Sequence, residues 1–125
     1  MSITKLFIDD IRNPVNHLSP EQAEGIVWVK TWWEARNTLF KNSQTLEVIH
    51  FDNYMDEPEL TGKDLLVTVL GDCIWGDKSE EWPNLKQIYL HSSDKEFIDE
   101  MMELWEKDAK FVGIELIENS LENYE

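Results

Sequence analysis

Short runs of aliphatic, β-branched and aromatic residues alternate along this chain with longer stretches of helical periodicity, and that alternation leaves few folds open. KLFIDD (5–10), GIVWVKT (25–31), TLEVIHFDN (45–53), NLKQIYLHSS (84–93) and KFVGIELIE (110–118) read as strands. They are mostly apolar runs, as expected of strands covered on both faces of a parallel sheet. NPVNHLSPEQAEG (13–25) is turn-rich and has room only for a short helix after Ser19-Pro20. Thr31 to Glu34 fits a capping box, and the helix it opens carries Trp32, Ala35 and Leu39 on one face. From Gly62 to about Trp75, the residues Leu65, Leu66, Val69, Leu70 and Cys73 recur at helical intervals, although Gly71 interrupts the pattern. DKEFIDEMMELWEKD (94–108) sets Phe97, Ile98, Met101, Met102, Leu104 and Trp105 against the acids Asp99, Glu100, Glu103 and Glu106. Strands alternating with helices imply right-handed crossovers around a parallel sheet. The expectation is a single domain over residues 1–125: a doubly wound α/β fold with five strands in the order 2-1-3-4-5. The tail ENSLENYE is short, so the last helix should be missing or vestigial.

Composition removes several functions. The formal charge is −15 at pH 7, and Arg12 and Arg36 are the only arginines. An extended contact with duplex nucleic acid needs many cations to displace counterions, and this chain lacks them. No stretch approaches the roughly 20 apolar residues of a membrane span, and MSITKLFIDD has no signal-peptide pattern, which points to the cytoplasm. Cys73 is the sole cysteine and lies in an apolar run, so a buried, inert thiol is expected.

Polar residues gather at the strand ends. In an open doubly wound sheet, ligands bind beyond the carboxyl ends of the strands, where the strand order reverses. The first strand ends in Asp9-Asp10 with Arg12 just beyond, the third in Asp52-Asn53, and the fourth in His91-Ser92-Ser93-Asp94. Any one of these has an ordinary explanation as a turn or helix cap. Together, Asp9, Asp10 and Asp52 would repel strongly without a cation, and an all-oxygen ligand set suits Mg²⁺ or Mn²⁺. His50 shares the face of Asp52 by strand alternation and is a candidate for support behind it.

These residues resemble a family. The acids ending strands one and three are similar to those of the receiver domains of two-component signalling. More narrowly, LFIDDIRNP, IHFDNYMDEPELTGKDLL and YLHSSD resemble, in order, three motifs of the cyclic-phosphate-processing receiver-like domains, relatives often encoded by phages. The resemblance implies a flavodoxin/receiver-like fold and a role in RNA repair, on the 2′,3′-cyclic phosphate left by RNA-cleaving toxins. It implies Asp9, Asp10 and Asp52 as the acidic pocket, with Arg12, His91 and Ser92 beside it. The chain departs from the family pattern at Asn53-Tyr54, where an acid and a histidine are replaced, and at Asp94, which stands for an asparagine. Strand five ends in Leu116-Ile117-Glu118 where an ordinary receiver has a lysine, which argues against a phosphorelay role.

The expected chemistry is metal-dependent hydrolysis of a cyclic phosphate, by a phosphodiesterase or phosphohydrolase in RNA or tRNA repair or phage counter-defence. Asp10 and Asp52 would hold the metal, with Asp9 reaching it directly or through water. Arg12 would clamp a phosphate oxygen, His91 would act as acid or base for the leaving hydroxyl, and Ser92 would donate to the phosphoryl group. Asp52 as a covalent nucleophile and direct attack by water both remain open. The acidic exterior favours a small contact: a cleaved RNA end or a free cyclic nucleotide. The rival expectation is a non-catalytic acidic protein that inhibits or modulates a basic partner. Helix 94–108 and the loop CIWGDKSEEWPN (73–84), with Trp75 and Trp82, would then be its contact surfaces.

Overall fold

The computed structural model describes residues 3–10, 13–52, 62–91 and 95–118. Its strands are β1 (Lys5–Ile8), β2 (Val27–Val29), β3 (Val48–Phe51), β4 (Gln87–Leu90) and β5 (Glu115–Glu118). All neighbours pair in parallel, in the order β2-β1-β3-β4-β5. That is the doubly wound α/β architecture expected from the sequence. The helices are α1 (Pro14–His17), α2 (Pro20–Ala23), α3 (Trp32–Lys41), α4 (Gly62–Ile74), α5 (Lys78–Glu81) and α6 (Lys95–Phe111). Among the described residues, no helix is long and apolar enough to cross a membrane.

Register explains the layering. Leu6, Ile49 and Ile88 lie in one row across β1, β3 and β4, and Ile8, Phe51 and Leu90 in another. Both rows belong to the main core, with Leu39 of α3, Leu66 and Leu70 of α4, and Met101 of α6. Side chains alternate between faces along a strand, so the row between them, Trp28, Phe7, His50 and Tyr89, faces the other way. The short α1 and α2 follow β1, and the Lys5 ammonium donates to the carbonyl of Glu21 in α2 at 2.9 Å.

Local chemistry fixes the element ends. The Thr31 hydroxyl accepts from the Glu34 N–H at 3.1 Å, as expected of an N-cap. The Glu34 carboxylate closes back on the Lys30 N–H at 2.9 Å, one residue earlier than a standard capping box. A complete capping box stands instead at Ser19 and Gln22, opening α2.

Several boundaries differ from the sequence expectation. Helix α6 runs on to Phe111, into the segment expected to begin strand five. It stops where Gly113 takes φ +85°, with Ile114 N–H bonded to the Ala109 carbonyl and Gly113 N–H to that of Lys110. This is a Schellman close, which glycine permits because it has no Cβ. The segment 73–84 is not wholly loop, since it contains α5, capped by Asp77. Leu104 is exposed rather than part of the buried stripe, because it sits on the shoulder of α6. Gly71 lies inside α4, which runs unbroken to Ile74.

Candidate metal centre

The strand ladder continues one residue past the ends of β1, β3 and β4. Asp9 N–H donates to the Val29 carbonyl (3.2 Å), Asp52 N–H to Ile8 (3.1 Å) and His91 N–H to Phe51 (2.9 Å). Asp9, Asp52 and His91 therefore form the next row after Ile8, Phe51 and Leu90, on the same face as Phe7, His50 and Tyr89. The Trp28 indole N–H donates to the Asp9 carbonyl at 2.8 Å, tying β2 to the backbone of the site.

Asp9, Asp10 and Asp52 each offer a ligand atom, all within 4.8 Å of one another. Asp9 and Asp52 are buried, at 0% and 2% exposure, while Asp10 is half-buried and keeps the cluster open on one side. Two ionised carboxylates that close repel by about 3 kcal/mol even at an effective dielectric of about 20. Buried charges of one sign need a counter-charge. An all-oxygen cluster of this kind can hold a hard divalent cation.

His91 stands at the β4 end of the same row. Its Nδ1 is 3.7 Å from Asp9 Oδ2, an ion-pair distance too long for a hydrogen bond, and both side chains are at 0% exposure. Its ring stacks on Phe7 with centroids 4.6 Å apart and planes 13° apart. His50 sits one row deeper, stacked on Tyr89 at 4.5 Å and 8°, with its centroid 5.8 Å from that of His91. Burial, aided by the Lys5 ammonium, lowers the His50 pKa from 6.5 to about 4, so its imidazole is neutral at pH 7.

The fold thus brings together Asp9, Asp10, Asp52 and His91 from the sequence candidates. Arg12, Ser92, Asn53, Tyr54 and Asp94 lie outside the described residues. Sequence reasoning missed the aromatic backing of Phe7, Tyr89 and Trp28. Strand alternation was the available signal: Phe7 and Tyr89 lie two residues before Asp9 and His91, and Trp28 is the register partner of Phe7.

Residues 4–107 match the family described as the Cyclic-phosphate processing Receiver domain. The chain belongs to that family. No curated protein and no solved structure matched significantly. The family's description connects this receiver-like domain with cyclic-phosphate processing, and the acidic cluster at the carboxyl edge of β1 and β3 lies within the matched residues.

Proposed function

We propose that the protein hydrolyses a 2′,3′-cyclic phosphate in a divalent-cation-dependent reaction, on a cleaved RNA end or a small cyclic nucleotide, in RNA or tRNA repair or phage counter-defence. The observation that carries this reading is the oxygen cluster of Asp9, Asp10 and Asp52 in a chain of the cyclic-phosphate family. Water attacks phosphorus, one P–O bond to the ribose breaks, the freed ribose oxygen takes a proton from solvent, and a phosphomonoester remains. Mg²⁺ or Mn²⁺, when bound, supplies positive charge beside the non-bridging phosphate oxygens and acidity to a water.

The chain's own residues do the rest. Asp52 and Asp10 would hold the cation, with Asp9 reaching it directly or through water. A phosphate would approach from the side of the half-buried Asp10. Arg12 and Ser92 are assigned the phosphate contacts. With a formal charge of −15, the protein should accept a terminus or a mononucleotide far better than a long RNA footprint.

The test is an RNA oligomer ending in 2′,3′-cyclic phosphate, incubated with Mg²⁺ or Mn²⁺ and analysed for its terminus by mass and by phosphatase sensitivity. Wild type should open the ring and chelation should stop it. Asp52→Asn should lower the rate by more than about 100-fold, since even losses around a metal site cost about 10–100-fold. A cyclic terminus that persists with both metals, alongside an unreacted 2′,3′-cyclic mononucleotide, overturns the reading.

One observation favours a second reading, a non-catalytic acidic protein that binds a basic partner. Trp75 is 75% exposed and packs edge-on against Trp105 at 5.6 Å, in a strongly acidic chain. Trp82 offers nothing to such a partner, because it is 1% exposed within the core and donates to Asp72 at 3.3 Å. A stoichiometric complex with a basic nuclease, lost in Trp75→Ala and formed by Asp52→Asn, would support this reading.

A further inference from the structure

The sequence casts His91 as the acid or base that meets the leaving hydroxyl, yet its side chain is completely buried. One face of its ring is covered by Phe7 at 4.6 Å, and His50 lies 5.8 Å away in the row beneath. Its Nδ1 faces Asp9 Oδ2 at 3.7 Å, and Asp9 is equally buried. A side chain so enclosed acts on what it touches. We propose that His91 is a positioning residue that acts through Asp9, its Nδ1–H side turned to the Asp9 carboxylate so that Asp9 is oriented and tempered for cation binding.

This rests on the metal reading of Asp9, Asp10 and Asp52. The physical case has three parts. Backbone bonds fix both partners: His91 N–H to Phe51, Asp9 N–H to Val29, and the Trp28 indole to the Asp9 carbonyl. The Phe7 stack limits rotation of the imidazole. A buried carboxylate beside two others gains from a polarised ring N–H held 3.7 Å away, through its charge and orientation rather than through a hydrogen bond. Outer groups of this kind hold ligands in place and commonly alter affinity by about 10–100-fold when removed.

The experiment measures Mn²⁺ affinity by electron paramagnetic resonance, with thermal melts of the metal-free protein alongside. His91→Phe keeps a ring on Phe7 and removes Nδ1; His91→Leu replaces it if the phenylalanine variant does not melt cooperatively. Either should weaken Mn²⁺ binding by about 10–100-fold. His91→Asn, whose side-chain amide offers a donor near the Nδ1 position, should recover most of the affinity. Leu66→Ala, on the opposite face of the sheet, should leave affinity within about threefold of wild type, an effect well below that scale.

Wild-type binding of Mn²⁺ together with undiminished binding by the Phe or Leu variant overturns the positioning role and leaves the metal reading intact. So does a loss in His91→Asn as large as in His91→Phe, or an equal loss in Leu66→Ala. Failure of the wild type to bind Mn²⁺ overturns the metal reading and this inference with it.

Discussion

The two faces of this sheet are made of different materials. One carries Leu6, Ile8, Ile49, Phe51, Ile88 and Leu90 into an aliphatic core closed by α3, α4 and α6. The other carries Phe7, Trp28, His50 and Tyr89, with His50 stacked on Tyr89 and Phe7 on His91, and ends at Asp9, Asp52 and His91. Aliphatic packing stabilises in proportion to the area removed from water and has no directional demand. Rings with polar atoms have preferred geometries and can support charged groups nearby. The difference assigns stability mainly to one face and chemistry to the other, with single residues switching sides at each step of the strand.

That division can be broken by substitution. Leu66→Ala on the aliphatic side should destabilise by about 2–5 kcal/mol, read by denaturant unfolding, while leaving Mn²⁺ affinity unchanged. A parallel fall in metal affinity would show that the two faces are not separable. The ring face should reveal itself in acid. His50 has a pKa near 4 when folded against 6.5 when free, so the unfolded chain binds its proton first as pH falls. This group's stabilising contribution is complete above about pH 6.5 and declines down to about pH 4, a loss on the order of 3 kcal/mol. His50→Phe should flatten stability against pH across that window relative to wild type; an unchanged slope contradicts the buried neutral imidazole.

Smaller effects sharpen the contrast. Thr31→Ala removes the N-cap of α3 and should cost about 1 kcal/mol of stability without affecting the site. Cys73 lies in the aliphatic core, and burial first, with nearby acids adding, pushes its thiol up to about 12 even though Lys78 opposes the shift. Iodoacetamide at pH 8 should therefore leave Cys73 unmodified in the folded protein and label it in urea. Labelling of the folded protein at the unfolded rate would mean that this core opens readily.

The site row was legible because parallel register and alternation are simple rules. Asp9, Asp52 and His91 each follow a strand's last core residue by one position, so recognising three strands was enough to bring them together. What sequence could not supply was depth. A histidine at a strand end reads the same whether it meets solvent or, as His91 does, lies wholly enclosed against Phe7 and Asp9. The two tryptophans of 73–84 likewise look alike in sequence, yet Trp82 joins the core and Trp75 stands out. The end of α6 was obscured by Phe111 and Val112, which suit a strand, whereas the decisive residue was Gly113 with its positive φ.

An anomalous difference map from a Mn²⁺-soaked crystal tests the row ending the ring face as a metal centre. A metal centre there gives a peak in contact with the carboxylates of Asp9, Asp10 and Asp52, absent in Asp52→Asn. A map with no peak there, or with peaks only on exposed carboxylates such as those of α6, would contradict it.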